Sequence, residues 1–331
     1  MKSRPWVVAA GLLAAACGGS PPAPTPTPIV EAPQIFCPAD VKVGGVTGPS
    51  QVVTFAAPTV TGGTAPVTTT CTRTSGASFP LGTTAVSCTA ADATLRQAAC
   101  SFNVTLTGFS LAVTKFEAFG DSLTEGENGA GPKPNFVDTP NSYPAKLLAL
   151  FDANFPGQGV TLVNRGEGGK KVEETLATLR KFLPIDRPEA VLLLTGYNNL
   201  TSPCGPGQAN TFACGVATQE VADGVRECVR KTRESSATVK YIFLSTLTPP
   251  GTGPKRIERD AIVETNRKIR LIAAAENVTL VDAYPLFIGH EGEYVSIDGL
   301  HLNPPGYQAI ADAFFSAIKA TVPQTPLAAI R

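Results

Sequence analysis

Two hydrophobic spacings divide the chain. Between about Gln34 and Thr107, short alternating runs recur between turn formers: Val52-Val53-Thr54-Phe55, Pro66-Val67-Thr68-Thr69-Thr70-Cys71, Thr84-Ala85-Val86-Ser87-Cys88 and Cys100-Ser101-Phe102-Asn103-Val104-Thr105-Leu106. A period of two predicts strands of a small all-β sandwich. Beyond Gly108 the apolar runs are separated by helical stretches, as expected for parallel strands covered on both faces. Strands are predicted over Thr114–Phe119, Val160–Asn164, Ala190–Thr195, Val239–Ser245 and Val278–Asp282, and helices over Tyr143–Phe155, Val172–Phe182, Ala217–Ser235, Arg256–Glu276 and Gly306–Thr321. Leu147, Leu148, Leu150 and Phe151 in the first helix, and Ile310, Ala313, Phe314, Ala317 and Ile318 in the last, form stripes that face a core.

This order predicts an α/β fold, a flavodoxin-like three-layer α/β/α sandwich with a five-stranded parallel sheet, behind the β-rich module. At 331 residues and 43% apolar content, the chain is long enough for two unequal cores. The 27 basic and 27 acidic residues cancel, so no overall field favours nucleic acid or an anionic membrane.

The N-terminus reads as an address. Lys2 and Arg4 precede an apolar run, Trp6–Ala16, shorter than the ~20 residues of a spanning helix and suited to a secretory signal. The run ends Leu13-Ala14-Ala15-Ala16-Cys17-Gly18-Gly19-Ser20, which resembles a bacterial lipoprotein signal, although Ala14 stands where those signals usually carry Leu. The resemblance implies lipidation of Cys17 and membrane attachment by a lipid anchor only, in the periplasm or at the cell surface. The other reading is an ordinary signal and a secreted protein. Pro21–Pro28 alternates Pro with Ala and Thr, an extended tether. The expected boundaries are a signal over 1–16, a linker over 17–33, the module over 34–107 and the α/β domain over 108–331.

Export bears on the 8 cysteines, which in an oxidising compartment point to disulfides. With 2 histidines and no zinc-type spacing, neither a metal nor a cofactor is expected. Four cysteines in the module allow three pairings, of which we favour Cys37–Cys100, tying first strand to last, and Cys71–Cys88, bridging central strands. Cys204–Cys214 is expected to staple an insertion, with Cys214–Cys228 the competing bridge; Cys228 otherwise reads as a buried thiol, at helical spacing with Val221, Val225 and Val229. The module resembles the hyalin repeat, an immunoglobulin-like domain of secreted and surface proteins, through Cys37-Pro38, Phe79-Pro80-Leu81-Gly82-Thr83-Thr84, and Val86–Asp92 followed by Cys100-Ser101-Phe102. The resemblance implies adhesion or spacing. A rigid spacer is the preferred reading over surface contact with a partner.

Candidate chemistry lies in loops after the predicted strands. In Phe119-Gly120-Asp121-Ser122-Leu123-Thr124-Glu125-Gly126 the glycines permit a tight turn that leaves the Ser122 hydroxyl uncrowded at a strand's carboxyl end. Alone, the octapeptide reads equally well as a capped turn. Asn164-Arg165-Gly166-Glu167-Gly168-Gly169-Lys170 can point main-chain N–H groups at a ligand, yet Asn164 and Lys171 stand where a phosphate loop needs Gly and Ser or Thr. In Gly196-Tyr197-Asn198-Asn199 an amide can donate to a developing oxyanion. Asp298, three residues before His301 in a loop, can accept the imidazole Nδ1–H and leave Nε2 to take a hydroxyl proton. His290 lacks that spacing and reads as a solvated loop residue.

In order and spacing these stretches resemble the four blocks of the SGNH, or GDSL-type, hydrolases, over nearly all of Leu111–Val322. The resemblance implies a Ser122, Asp298 and His301 triad, with oxyanion donors from the Ser122 N–H, Gly169 and Asn198. Asn199 departs from the family's usual Asp. The implied activity is hydrolysis of small-molecule or glycan esters through an acyl-enzyme. Pocket walls are expected from Glu127–Ser142, with Phe136, from Thr201–Gly215 and from Thr248–Pro254. None carries a long apolar run, which favours a short acyl group, such as acetyl on carbohydrate, over a lipase, lysophospholipase or thioesterase substrate. A surface adhesin with lost activity is the reading from a different class.

Overall fold

The computed structural model describes residues 30–327 apart from Pro132 and Pro134, together with Met1. The expectations for the signal, for Cys17 and for the linker up to residue 29 lie outside the described residues.

In the α/β domain, β1 (Lys115–Gly120), β2 (Thr161–Gly166), β3 (Ala190–Leu194), β4 (Tyr241–Ser245) and β5 (Thr279–Val281) form a five-stranded parallel sheet in the order β2-β1-β3-β4-β5. That is the flavodoxin-like order, and its reversal point lies at the carboxyl ends of β1 and β3. The central strand β3 is buried at every residue, which explains its unbroken apolar run Ala190-Val191-Leu192-Leu193-Leu194. The helices are α1 (Tyr143–Asn154), α2 (Val172–Asp186), α3 (Phe212–Ser235), α4 (Arg259–Ala275) and α5 (Pro304–Thr321). α1 packs on α5, while α3 packs on both α2 and α4.

Helix ends depart from the hydrophobic periodicity where local chemistry takes over. α3 starts at Phe212 rather than Ala217 because Thr211 accepts the Cys214 N–H, in a segment also closed by the Cys204–Cys214 disulfide. Cys228 is then a free, buried thiol, and the Cys214–Cys228 alternative is excluded. α2 runs to Asp186, past the expected Phe182, with Pro184 in its last turn and Arg187 closing it in the left-handed region. α5 opens on Pro304 and Pro305, positions whose N–H would be unused, with Asn303 accepting the Gly306 N–H.

The module is all-β. Val41–Val43, Gln97–Leu106, Gly82–Ala91 and Thr68–Cys71 form a four-stranded sheet, with two short strand pairs beside it. The runs expected over Thr84–Cys88 and Cys100–Leu106 belong to one long hairpin. The run expected over Val52–Phe55 ends as a strand at Val52, and Phe55 turns in to pack edge-on against Phe102. Cys71, Cys88 and Cys100 stand in cross-strand register, and the bridges are Cys71–Cys88 and Cys37–Cys100. A strand the hydrophobic pattern did not signal, Gln324–Pro326, pairs with Phe109–Leu111 at the start of the α/β domain.

Candidate active site

β1 enters the sheet with Phe116, Ala118 and Phe119 buried and ends on Gly120, where any side chain would run into the Leu194 carbonyl of β3. The chain then turns into one helical turn, Ser122–Glu125, closed by Gly126 at φ +106°. Ser122 follows the cap, Asp121. Its Oγ lies 2.9 Å from His301 Nε2, and His301 Nδ1 lies 2.6 Å from Asp298 Oδ2. Asp298 Oδ1 also accepts the N–H groups of Leu300 and His301 at 3.1 and 3.0 Å. Burial alone would raise the Asp298 pKa, but the His301 ring and these N–H groups hold the carboxyl down at about 2. An ionised Asp298 takes the Nδ1–H tautomer and leaves Nε2 to accept the Ser122 proton. Gly129 leaves room for this carboxylate, since a Cβ there would overlap it.

Asp121 does more than cap. Its Oδ1 accepts the Leu123 N–H, and its Oδ2 accepts those of Gly196 and Tyr197 at 3.2 and 3.3 Å. The serine turn is thereby tied to the Asn198 loop. Burial pushes the Asp121 carboxyl up to about 6 despite those three donors.

The oxyanion candidates are held by the same logic. Glu125 accepts the Gly168 N–H at 2.7 Å, fixing the glycine loop to the serine turn, and Gly169 follows at φ +78° with its Cα side open. One N–H of the Asn198 amide donates to the Lys170 carbonyl at 2.9 Å, which orients the side chain and leaves a second N–H. Asn199 keeps the acceptor an Asp would supply, taking the Val172 N–H at 2.9 Å, while its amide donates to Glu173 at 3.1 Å. An Asp there would set two carboxylates together.

Ser122, Gly169, Asn198 and His301 line one cavity of about 750 Å³, with Asp298 behind the imidazole. Two charged residues in that cavity lie close to His301 and Asp298: Glu127, which opens an expected wall, and Lys255, which sequence reasoning missed. Glu127 Oε2 lies 3.5 Å from His301 Nε2, and Lys255 Nζ lies 3.3 Å from Glu127 Oε1 and 3.5 Å from Asp298 Oδ2. Of the expected walls, Glu127, Asn135, Val137, Thr201 and Ser202 contribute, but Phe136 packs over Gly131 instead. Thr248–Pro254 supports the site from outside, with Gly253 against the Asp298 backbone. His290 is exposed and pairs with Glu293. Among the described residues, no cluster of His, Cys, Asp and Glu is arranged to hold a metal ion.

Comparison with known proteins agrees with this geometry. Residues 30–106 match the HYR domain, and residues 118–309 match the GDSL-like lipase/acylhydrolase family. The chain is 26% identical over 211 residues to the spore germination lipase LipC of Bacillus licheniformis, across 61% of this chain and 95% of that protein. Among solved structures it resembles an alpha/beta hydrolase enzyme from the metagenome of Lake Arreo, Spain, with 26% identity, a TM-score of 0.50, and coverage of 64% of this chain and 97% of the other. It shares a fold with an acetylxylan esterase from Geobacillus stearothermophilus, at 20% identity and a TM-score of 0.50 over 63% of this chain and 95% of that one. The family match spans the Ser122 turn, the Gly169 and Asn198 loops and the Asp298–His301 loop, and the chain therefore belongs to the GDSL-like lipase/acylhydrolase family of ester-hydrolysing enzymes, with a HYR domain ahead of the hydrolase domain.

Proposed function

We propose that this protein is an exported esterase that removes short acyl groups, such as acetyl, from polyols or carbohydrates through an acyl-enzyme on Ser122. The charged side chains around the cavity carry the reading. Among the described residues of its wall, the apolar side chains are Val137 and Leu300, whereas Glu125, Glu127, Glu167 and Lys255 all face it. A long acyl chain seated there would leave its methylenes against charged groups, forfeiting roughly 0.8 kcal/mol for each CH₂ that an apolar groove would bury. An acetyl group forfeits little. The three disulfides suit an oxidising compartment and support the export part of the proposal.

The steps follow from the contacts. Nε2 of His301 takes the Ser122 proton as Oγ attacks the acyl carbon, and Asp298 stabilises the imidazolium across the 2.6 Å contact to Nδ1. The Ser122 and Gly169 N–H groups and the second Asn198 N–H receive the oxyanion. His301 returns its proton to the leaving alcohol oxygen, and water, activated by the same nitrogen, releases the acid and frees Ser122.

The test is turnover of aryl esters of rising chain length, with Ser122→Ala alongside. Acetyl should exceed dodecanoyl in kcat/KM, and Ser122→Ala should lose roughly 10⁴-fold or more in kcat. A dodecanoyl preference would overturn the short-acyl reading, and undiminished turnover by Ser122→Ala would overturn the mechanism.

A further inference from the structure

We propose that Glu127 and Lys255 form a subsite for a free hydroxyl on the carbon next to the ester oxygen, so that the preferred substrates are partly acylated polyols in which one hydroxyl of a vicinal pair is esterified and its neighbour is free. The proposal rests on the esterase reading above and extends it to the alcohol side of the substrate.

The acyl-transfer steps need no carboxylate besides Asp298, yet Glu127 is 5% exposed and lines the cavity at the reacting atoms. Its position is fixed from both sides of the site: its N–H donates to the Ser122 carbonyl at 2.9 Å, and its carbonyl accepts the Tyr307 hydroxyl at 2.6 Å. Lys255 is anchored likewise, its N–H donating to the Asp298 carbonyl at 2.8 Å. A buried carboxylate is costly unless its oxygens are served. Oε1 has Lys255 Nζ at 3.3 Å, but Oε2 receives no hydrogen bond from the described residues while Nε2 of His301 accepts from Ser122. Glu127 is therefore an acceptor held open on the cavity wall, with an ammonium beside it.

The leaving oxygen of any ester cleaved here must sit against His301 Nε2 to receive its proton, and Glu127 Oε2 is 3.5 Å from that nitrogen. A hydroxyl on the adjacent carbon stands one gauche torsion from the leaving oxygen. It can donate its O–H to Oε2 and accept from Lys255 Nζ at once, which neither a hydrogen nor a methoxy group can do. A cationic substituent would meet Lys255, and an anionic one would meet Glu125, Glu127 and Glu167. A neutral hydroxyl is the group that uses both charges.

The test uses the whole protein and compares kcat/KM for 2-hydroxyethyl acetate with that for 2-methoxyethyl acetate, whose acyl groups are identical and whose alcohols differ at the contacted position. The wild type should favour the free hydroxyl by roughly tenfold to a hundredfold, the worth of a hydrogen bond to a charged group. In Lys255→Met and in Glu127→Gln the ratio should fall towards one. Each ratio is taken within one preparation, so inactive material cancels, and Lys255 is exposed enough for its replacement to fold if Glu127→Gln does not. A wild-type ratio near one, with both esters hydrolysed, overturns the subsite and leaves the esterase reading standing. A ratio unchanged in the folded variants overturns it equally. Failure to hydrolyse either ester, with Ser122 inert to a fluorophosphonate, removes the esterase reading and the subsite together.

Discussion

Asp92, at the end of the long hairpin in the HYR domain, and Glu117, inside β1 of the hydrolase domain, are both buried carboxylates with an arginine beside them. Asp92 accepts from the Thr64, Thr94 and Arg96 N–H groups, from the Thr94 hydroxyl and from the Arg96 guanidinium. Burial opposes its ionisation, but these donors hold it well below the usual carboxylate range. Glu117 takes one hydrogen bond, from Arg165 Nε at 3.0 Å, while its Oε2 has no partner and Arg165 is shared with Asp186. Burial, and then the neighbouring Asp186, push it up to about 8. The HYR domain, with a small core, buries a charge only where directional bonds serve it fully. The hydrolase domain instead keeps its poorly served carboxyl, Glu117, protonated at neutral pH, and its larger core also buries Asp121, Glu127, Asp298 and His301 around one serine.

If the HYR domain depends on directional and covalent bonds, removing its disulfides should separate the two regions most. Replacing Cys71 and Cys88 by Ala opens a bridge spanning 17 residues, and replacing Cys37 and Cys100 opens one spanning 63. Loop entropy makes these worth about 3 and about 4 kcal/mol. The quadruple variant should lose protection of residues 34–106 against protease while still hydrolysing a small aryl acetate. Loss of turnover in step with protection would show that the two regions stand or fall together.

Asn198→Ala sharpens the comparison from the other side. If Asn198 donates to the oxyanion as proposed, its removal should lower kcat on the order of a hundredfold, with KM little changed and both regions folded. A change confined to KM would make Asn198 a binding residue instead.

The parts legible in the sequence are those whose position is repeated by a pattern. Each strand of the parallel sheet announces itself by an apolar run, Ser122 and Asn198 stand in the turns that follow two of these runs, and Asp298 and His301 stand three residues apart ahead of the last helix, so fold and triad candidates could be read together. Glu127 and Lys255 lie 128 residues apart, in loops where charged residues are ordinary, and only the folded chain sets them side by side. Asp121 looked like a cap because a cap uses one of its oxygens, and the second oxygen's bonds to Gly196 and Tyr197 need the β1–β3 neighbourhood to exist. The strand Gln324–Pro326 is polar and ends on proline, and it forms because Phe109–Leu111 offers an edge.

The smallest effect expected is the pH dependence of stability that Glu117 imposes on its own region. Its folded pKa of about 8 lies above the ordinary value of 4.5, so the folded state keeps a proton that the unfolded chain releases. The stability it contributes is complete below pH 4.5 and is lost as pH rises through about 8, by about 2 kcal/mol at most between pH 6.5 and 8.5. Asp121, at about 6, titrates mostly below that interval. Asp92 behaves oppositely: its contribution is present above the ordinary carboxylate range and is lost only as pH falls through its depressed pKa, so the HYR domain gains no slope from it here. Glu117→Gln keeps an acceptor for Arg165 and cannot ionise. The urea midpoint of the helical circular dichroism signal reports the hydrolase domain, because the described helices all lie within it. In the wild type this midpoint should fall from pH 6.5 to 8.5, and in Glu117→Gln the fall should be shallower. Equal slopes would mean that Arg165 keeps Glu117 ionised, and that the larger core serves its buried charges as fully as the small one does.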